Sequence, residues 1–318
     1  MNTQKVSIVI VNWNGENFLP ACLESIAANP PSVPFETVVV DNASADGSVA
    51  WLRSAETSEL GKKLGLKIIE SQENLGFGRA NNLAIKETES DFIFLLNPDT
   101  IVKPYAIDRL LETLESDDKI GAVAPKLLNA DGTLQYNVWG FPPTIITLSI
   151  QGLRLDRYLP KKWLANRLYS YLWSYDVRTA VPMFSGAAIL AKREMVDKVG
   201  GFDESFHMYG EDGEWCVRIN RNGWETFFEP TAEIVHLGGQ SSLQRWGSSN
   251  SRIKEEEAFI AFQQKCLSRF HLFCNVLTRL GVLIIHFLRH FIIRNDDSID
   301  RKLITLQLTA LKKILTTG

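Results

Sequence analysis

Four polar residues stand where short apolar runs end, and their types are those that hold cations or nucleotides. Asn12 follows Val6–Val11, Asp41 follows Thr37–Val40, and Asn97 and Asp99 follow Phe92–Leu96. Runs this short read as strands rather than helices, and Phe92–Leu96 reads as one buried on both faces. Pro98 stops regular pairing, so Asp99 is presented at the carboxyl edge of a central strand. Open α/β sheets bind ligands at that edge, and hard divalent cations prefer oxygen ligands. A strand cap with a turn is the competing reading of an isolated Asn-Pro-Asp. Two further groups qualify. Glu211-Asp212, with Glu214, opens a predicted helix, where acids are also favoured by the macrodipole alone. His236 ends another apolar run, where a satisfied core imidazole is the plain alternative.

The elements that must position these groups alternate. Val6–Val11, Thr37–Val40, Lys67–Ile69 and Phe92–Leu96 read as strands, separated by helices over about 16–28, 44–55 and 80–87. That alternation predicts a doubly wound, mostly parallel sheet with its strand ends gathered along one edge. Beyond Asp99 the sequence predicts a helix from Pro104 to about Glu115 and a strand over Ile120–Ala124. A turn at Asn129–Gly132, a strand within Ser185–Ala191 and a turn at Gly200–Asp203 come next. A helix from Glu211 to Gly223 is then followed by two short strands, Thr226–Phe228 and Glu233–His236. Residues 139–180 are less regular and carry Trp139, Trp163, Trp173 and Tyr175, a pattern that argues for packing before ligand binding.

At 318 residues there is room for a large α/β domain, expected over 1–250, and a helical region over 251–318. The net charge of −3 is unevenly spread: residues 251–318 hold 11 Lys/Arg against 6 Asp/Glu, and the rest holds 23 against 31. Cys22, Cys216, Cys266 and Cys274 form no CxxC pair and no metal spacing, as expected of thiols in a reducing compartment. Val6–Val11 is too short for a signal peptide, and no uncharged apolar run approaches the ~18 residues of a membrane span. A cytoplasmic body is the expectation. Nucleic-acid binding is not, because the strand-edge residues are acidic or neutral and the basic ones sit among apolar ones in the tail.

An ordered set of motifs begins with Val9-Ile-Val-Asn-Trp-Asn14, Val40-Asp-Asn-Ala-Ser-Ala-Asp-Gly-Ser48, Asn74-Leu-Gly-Phe-Gly-Arg-Ala-Asn-Asn82 and Leu95-Leu-Asn-Pro-Asp-Thr100. Ser185-Gly-Ala-Ala-Ile-Leu190, Gly200-Gly-Phe-Asp-Glu204, Tyr209-Gly-Glu-Asp-Gly-Glu-Trp-Cys-Val-Arg218 and His236-Leu-Gly-Gly-Gln-Ser-Ser242 complete the series, which spans about 5–242. Taken in order, it resembles the family 2 glycosyltransferases of the GT-A fold, and within them the bacterial rhamnosyltransferases. The resemblance implies an α/β GT-A fold with a Rossmann-like mixed, mostly parallel sheet and a C-terminal helical extension. It implies a nucleotide-diphosphate sugar, dTDP- or UDP-linked, bound among Asn12, Asn14, Asp41, Asn74, Gly76, Arg79, Asn82 and Asn97, with Asp41 facing the base. Asp99 would take Mg²⁺ or Mn²⁺ in the place where relatives carry Asp-x-Asp, here with Asn97 in the first position, and His236 would add a ligand. Asp212 would be the base of an inverting transfer, with Glu211 or Glu214 orienting it.

Between Glu257 and Asp296 there is no acidic residue. On a single helical wheel Lys265, Arg269, Arg279, Arg289 and Arg294 fall in one half with Asn275, His286 and His290, opposite an apolar half. Such a helix lies on an anionic membrane, packs on the protein or on a second copy, or bends at Gly281 into a hairpin. The expected function is transfer of a sugar, rhamnose from dTDP-rhamnose being favoured, to a surface glycan, lipid-linked, at the inner face of the membrane. A sugar nucleotidyltransferase and a membrane-docked binding protein without catalysis are the alternatives. The first lacks its Gly-rich basic loop after Val11, and retention of Asp99, Asp212 and His236 argues against the second.

Overall fold

The computed structural model describes residues 4–139, 175–206, 208–237, 240–293 and 298–316. Trp163 and Trp173 lie outside them. The chain divides into two compact units, residues 1–139 with 174–241, and residues 140–173 with 242–318. The sequence predicts the division after residue 250.

In the first unit β1 (Val6–Asn12), β2 (Phe35–Asp41), β3 (Leu66–Glu70) and β4 (Phe92–Leu96) are linked by helices. These are α1 (Leu19–Ala28), α2 (Ser48–Glu56), α3 (Glu59–Leu64) and α4 (Phe77–Lys86). β5 (Thr100–Val102), α5 (Ala106–Glu115) and β6 (Ile120–Leu128) follow, with short strands β7 (Leu134–Gln135), β8 (Val138–Trp139), β9 (Thr179–Ala180) and β10 (Met183–Phe184). The unit closes with β11 (Ala188–Lys192), α6 (Arg193–Val199), α7 (Glu211–Arg221) and β12 (Glu225–His236).

The main sheet runs in the order β3-β2-β1-β4-β11-β6-β12-β5. Pairing is parallel from β3 to β4 and between β6 and β12, and antiparallel where β11 meets β4 and β6 and where β5 meets β12. The sheet is therefore mixed, as β11 enters the middle in the reverse sense. Its apolar faces are covered by helices: Ile8, Ile10, Phe94, Leu190 and Ile234 share one core with Leu23 of α1 and Leu110 of α5. That two-sided burial is why the strands are apolar without alternation.

Several boundaries differ from the sequence expectation. The helix expected from residue 16 begins at Leu19, because Gly15 to Phe18 form a turn closed by the Phe18 amide on the Gly15 carbonyl. The helix expected from residue 80 begins at Phe77, where Gly76 adopts φ 82° and supplies the entry. The two short strands expected at 226–228 and 233–236 are one strand, β12, whose register shifts between Glu229 and Glu233.

In the second unit α8 (Gln240–Cys266), α9 (Arg269–Ile293) and α10 (Ser298–Thr316) are separate helices. A single wheel through residues 265–294 does not apply, since the chain leaves helix at Leu267 and Ser268. Gly281 lies inside α9 and makes no break. Asn275 is buried, and the Arg279 guanidinium pairs at 2.7–2.9 Å with both oxygens of buried Glu256, which Gln307 also contacts. A guanidinium fork satisfied by a buried carboxylate faces inward, so Arg279 and Asn275 do not belong to an outer polar stripe. Ile260, Leu272, Val276, Ala310 and Ile314 form the core of this unit. The side chains of His286, Arg289, His290 and Arg294 lie outside the described residues. No described helix is long and apolar enough to cross a membrane.

Candidate functional site

The carboxyl ends of β1, β2 and β4 lie side by side through the parallel register, which puts Asn12 opposite Asp41. The Asn12 amide donates to Asp41 (3.0 Å) and to the Ser44 hydroxyl (3.3 Å), and Asp41 also accepts the Ser44 amide (2.9 Å). Asn14, at φ 52°, donates its backbone amide to the Ser44 hydroxyl and accepts the Ala45 amide on its side chain. Asn42 accepts the Leu75 amide (2.8 Å) and donates to the Asn74 side-chain Oδ1 and the Gly76 carbonyl, tying the 74–76 loop to the end of β2. Asn12, Asn14, Asp41, Asn74 and Gly76 therefore belong to one hydrogen-bonded polar cluster. The Asn12 Oδ1 atom is buried there without a hydrogen-bond partner.

Arg79 and Asn82 have other surroundings. The Arg79 side chain is half exposed, 3.9–4.0 Å from Glu73 and Glu204. Both ends of the buried Asn82 amide are engaged: Nδ2 donates to the Phe202 carbonyl (2.8 Å) and Glu204, and Oδ1 accepts the Phe202 amide (2.9 Å). An amide so satisfied holds the Gly201–Phe202 turn against α4.

A second polar group forms where the chain leaves β4. The Asn97 amide donates to the Ala187 carbonyl (2.9 Å), and the chain then crosses to β5 on the far side of β12, where Thr100 lies opposite His236. Asp99, buried, accepts the Leu237 amide on its carbonyl, and its carboxylate Oδ1 is 3.4 Å from His236 Nε2. The Asn97 side-chain amide is 3.5 Å from the same nitrogen. β5 was not foreseen in the sequence, and it is what brings Asp99 and His236, 137 positions apart by their numbers, together. Beneath them Cys22 is buried, and desolvation pushes its thiol up to about 12, so it stays a neutral packing group.

α7 supplies the third group. It is entered through Tyr209 (φ 69°) and Gly210 (φ 87°), a left-handed pair that turns the first helical residues into the site. Asp212 accepts the Gly186 amide (2.9 Å) and its neighbour Gly213's (2.7 Å). Burial pushes the Asp212 carboxyl up, and these amides draw it down. Glu211 is buried with Oε2 unpartnered; burial, then the adjacent Asp212 charge, pushes its carboxyl up to about 8. Glu214 is instead clamped to Arg218 at 2.8 Å, and Arg218 also caps the Val199 and Gly201 carbonyls. Its contacts are with that turn. Ser185-Gly186-Ala187 thus joins two parts of the site: the Gly186 amide holds Asp212, and the Ala187 carbonyl holds Asn97.

Sequence reasoning did not single out Ser44, Gly186 or Gln135. The first two lie within quoted motifs, whereas Gln135 lies in the two-residue β7 and carries no pattern. Among the described residues no cluster of three or more His, Cys, Asp or Glu side chains forms a ready cation cage.

Residues 7–199, more than half of the chain, match the profile described as Glycosyl transferase family 2. The chain belongs to that family. It is a glycosyltransferase, and rhamnosyltransferases are among its relatives. It is 25% identical over 252 residues to the N-acetylglucosaminyl-diphospho-decaprenol L-rhamnosyltransferase of Mycobacterium tuberculosis, covering 76% of this chain and 78% of that protein. It is 26% identical over 248 residues to the rhamnosyltransferase WbbL of Escherichia coli K12, covering 73% and 83%. In structure it is similar to the mannosyltransferase PcManGT from Pyrobaculum calidifontis in complex with GDP-Man and Mn²⁺. That match has a TM-score of 0.60 at 17% identity, over 100% of this chain and 89% of that one. GalNAc-T7 with UDP, GalNAc and Mn²⁺ superposes with a TM-score of 0.56 at 17% identity, over 82% and 51%. The fold of this family 2 glycosyltransferase is GT-A.

Proposed function

We propose that this glycosyltransferase is an inverting, divalent-metal-dependent enzyme that moves a sugar from a nucleoside-diphosphate donor to a lipid-linked surface glycan. L-Rhamnose from a dTDP donor is the favoured sugar, and UDP-sugars are the alternative. The observation that carries the reading is the Ser185–Ala187 segment, which hangs Asp212 and Asn97 on one short stretch at the carboxyl edge of the sheet. A base and a leaving-group site held on one rigid segment are what an in-line displacement needs.

In this reading Asn12, Asn14, Asp41, Asn74 and Gly76 receive the nucleoside, with Asp41 accepting a hydrogen bond from the base. Arg79 lies at the rim, and we assign Asn82 to support of the 201–202 turn. Asp212, held by the Gly186 and Gly213 amides, takes the proton of the acceptor hydroxyl as that oxygen attacks the anomeric carbon opposite the leaving diphosphate. Glu211, its carboxyl pushed up to about 8, stays protonated beside it at neutral pH and keeps the pair from carrying two charges.

Asp99 and His236 fit a Mg²⁺ or Mn²⁺ site, with Asn97 alongside. A carboxylate oxygen and an imidazole nitrogen 3.4 Å apart would hold such an ion from the protein side, leaving its other positions to diphosphate and water oxygens. When bound, the ion neutralises charge on the diphosphate leaving group. The names of the rhamnosyltransferase relatives and the Mn²⁺ in the structural neighbours support donor class and metal. The decaprenol in one relative's name supports a lipid-linked acceptor.

The second unit supports association with the inner membrane face. Phe270 (70% exposed) and Leu315 (64%) stand at one end of the α9–α10 pair, where the Arg269 guanidinium reaches the Ile314 carbonyl, with exposed Lys312 and Lys313 next to them. Exposed apolar side chains with neighbouring lysines suit an anionic lipid surface.

Calorimetric titration of dTDP and UDP, with and without Mn²⁺, tests the donor site. One nucleotide should bind in a Mn²⁺-dependent manner, and Asp99→Ala should lose the metal dependence. Asp212→Asn should bind nucleotide like wild type and lose at least about 10²-fold in turnover. Metal-independent binding in wild type, or full turnover by Asp212→Asn, would overturn the reading.

A further inference from the structure

The His236 ring is oriented by a relay of amides that starts at a backbone carbonyl. The Asn129 side-chain amide donates from Nδ2 to the Thr133 hydroxyl (2.9 Å) and the Leu134 carbonyl (3.4 Å). Its Oδ1 therefore faces Gln135 and accepts from Gln135 Nε2 (3.0 Å). The same Nε2 donates to the His236 carbonyl (3.2 Å). Carbonyl oxygens only accept, so the Gln135 amide has one orientation, with Oε1 toward the imidazole. That oxygen is 2.6 Å from His236 Nδ1, which must then be the donor.

The consequence lies at the other end of the ring. A neutral imidazole with its proton on Nδ1 has an unprotonated lone pair on Nε2, to which the nearest donor is the Asn97 amide at 3.5 Å. Nε2 is the atom 3.4 Å from Asp99 Oδ1. Two electron-rich atoms facing each other are stabilised by a cation shared between them, and an imidazole fixed by an acceptor on its far nitrogen is the usual form of a metal-binding histidine.

We propose that Gln135 is a positioning residue for the metal site: it fixes the Nδ1–H tautomer of His236 and thereby presents Nε2, beside Asp99, to a divalent cation. The inference rests on the metal-dependent reading above. The β6–β7 hairpin is the device that delivers it, since Gln135 pairs in register with Leu127 of β6, the strand parallel to β12, and so reaches the end of β12 where His236 sits.

Two measurements test it on the full chain. Nitrogen-15 correlation spectra of the imidazoles, assigned with His236→Gln, should show the Nδ1–H tautomer at His236 in the metal-free protein. An Nε2–H tautomer would overturn the inference without reference to metal. Mn²⁺ binding, followed by loss of the free-ion electron paramagnetic resonance signal with dTDP or UDP present, gives the second readout. Gln135→Leu should weaken Mn²⁺ about 10–100-fold, and Gln135→Glu, which keeps the acceptor, should bind at least as tightly as wild type. Wild-type Mn²⁺ affinity in Gln135→Leu, or equal weakening by Leu and Glu, would overturn the role of Gln135 alone. Absence of Mn²⁺ binding in wild type would overturn the reading beneath it as well.

Discussion

At the scale of single residues, Glu211 and Asp212 are adjacent acids that the fold treats differently. Asp212 receives two backbone amides, while Glu211 keeps a buried oxygen without a partner and holds its proton up to about pH 8. The sign of the stability effect follows. Between its ordinary value of 4.5 and about 8, the folded chain holds a proton on Glu211 that the unfolded chain has released. Its contribution is thus fully present below about pH 4.5 and is lost as the pH rises toward 8. Glu211→Gln should therefore raise the unfolding midpoint more at pH 8 than at pH 5. Thermal melts at the two values decide it: an equal change at both would mean that Glu211 is not the titrating group.

At the scale of elements, the site depends on turns more than on the strands they follow. α4 and the Gly200–Phe202 turn are held together by one amide, Asn82, and by the aromatic contact of Phe77 with Phe202 at 5.5 Å between centroids. Arg218 and Glu214 secure the same turn from α7. Because Asn82 satisfies a buried backbone amide and carbonyl, Asn82→Ala should cost about 1–3 kcal/mol of stability, while nucleotide affinity stays within about twofold of wild type. Urea denaturation and nucleotide titration of the same variant separate the two tasks. An undiminished stability with weakened nucleotide binding would return Asn82 to the donor pocket.

At the scale of the whole molecule, the acidic first 250 residues and the basic remainder take on meaning through where the charges sit. Arg279, a member of the basic stripe in sequence, is tied inside the helical unit to Glu256, which Gln307 also contacts. The lysines at 312 and 313 are exposed, next to Phe270 and Leu315. Membrane affinity should therefore reside at that end of the α9–α10 pair. The full chain should co-sediment with phosphatidylglycerol vesicles at low salt, less so as salt is raised, and the double variant Phe270→Ser/Leu315→Ser should bind at least about tenfold more weakly. Unaltered sedimentation of that variant would place the contact elsewhere.

Much of the first unit's fold was legible in the sequence because its signals are local. Apolar runs of four to six residues ending in Asn or Asp give strands and the polar edge where they end, and Gly-Glu-Asp marks a helix entry whatever lies around it. The family 2 motifs in order gave the fold class and the enzyme class. What the sequence could not carry depends on partners far apart in the chain. The crossing of Asn97–Asp99 to β5, which sets Asp99 against His236, is decided by an antiparallel pairing with β12. The tasks of Asn82, Glu214 and Arg279 were decided by which groups happened to be buried opposite them. Gln135 has no sequence signature at all, since a two-residue strand shows no period. Residue type and spacing determined which chemistry was available; sheet order and burial decided which atoms meet, because hydrogen bonding and desolvation act over a few ångströms in space and not along the chain.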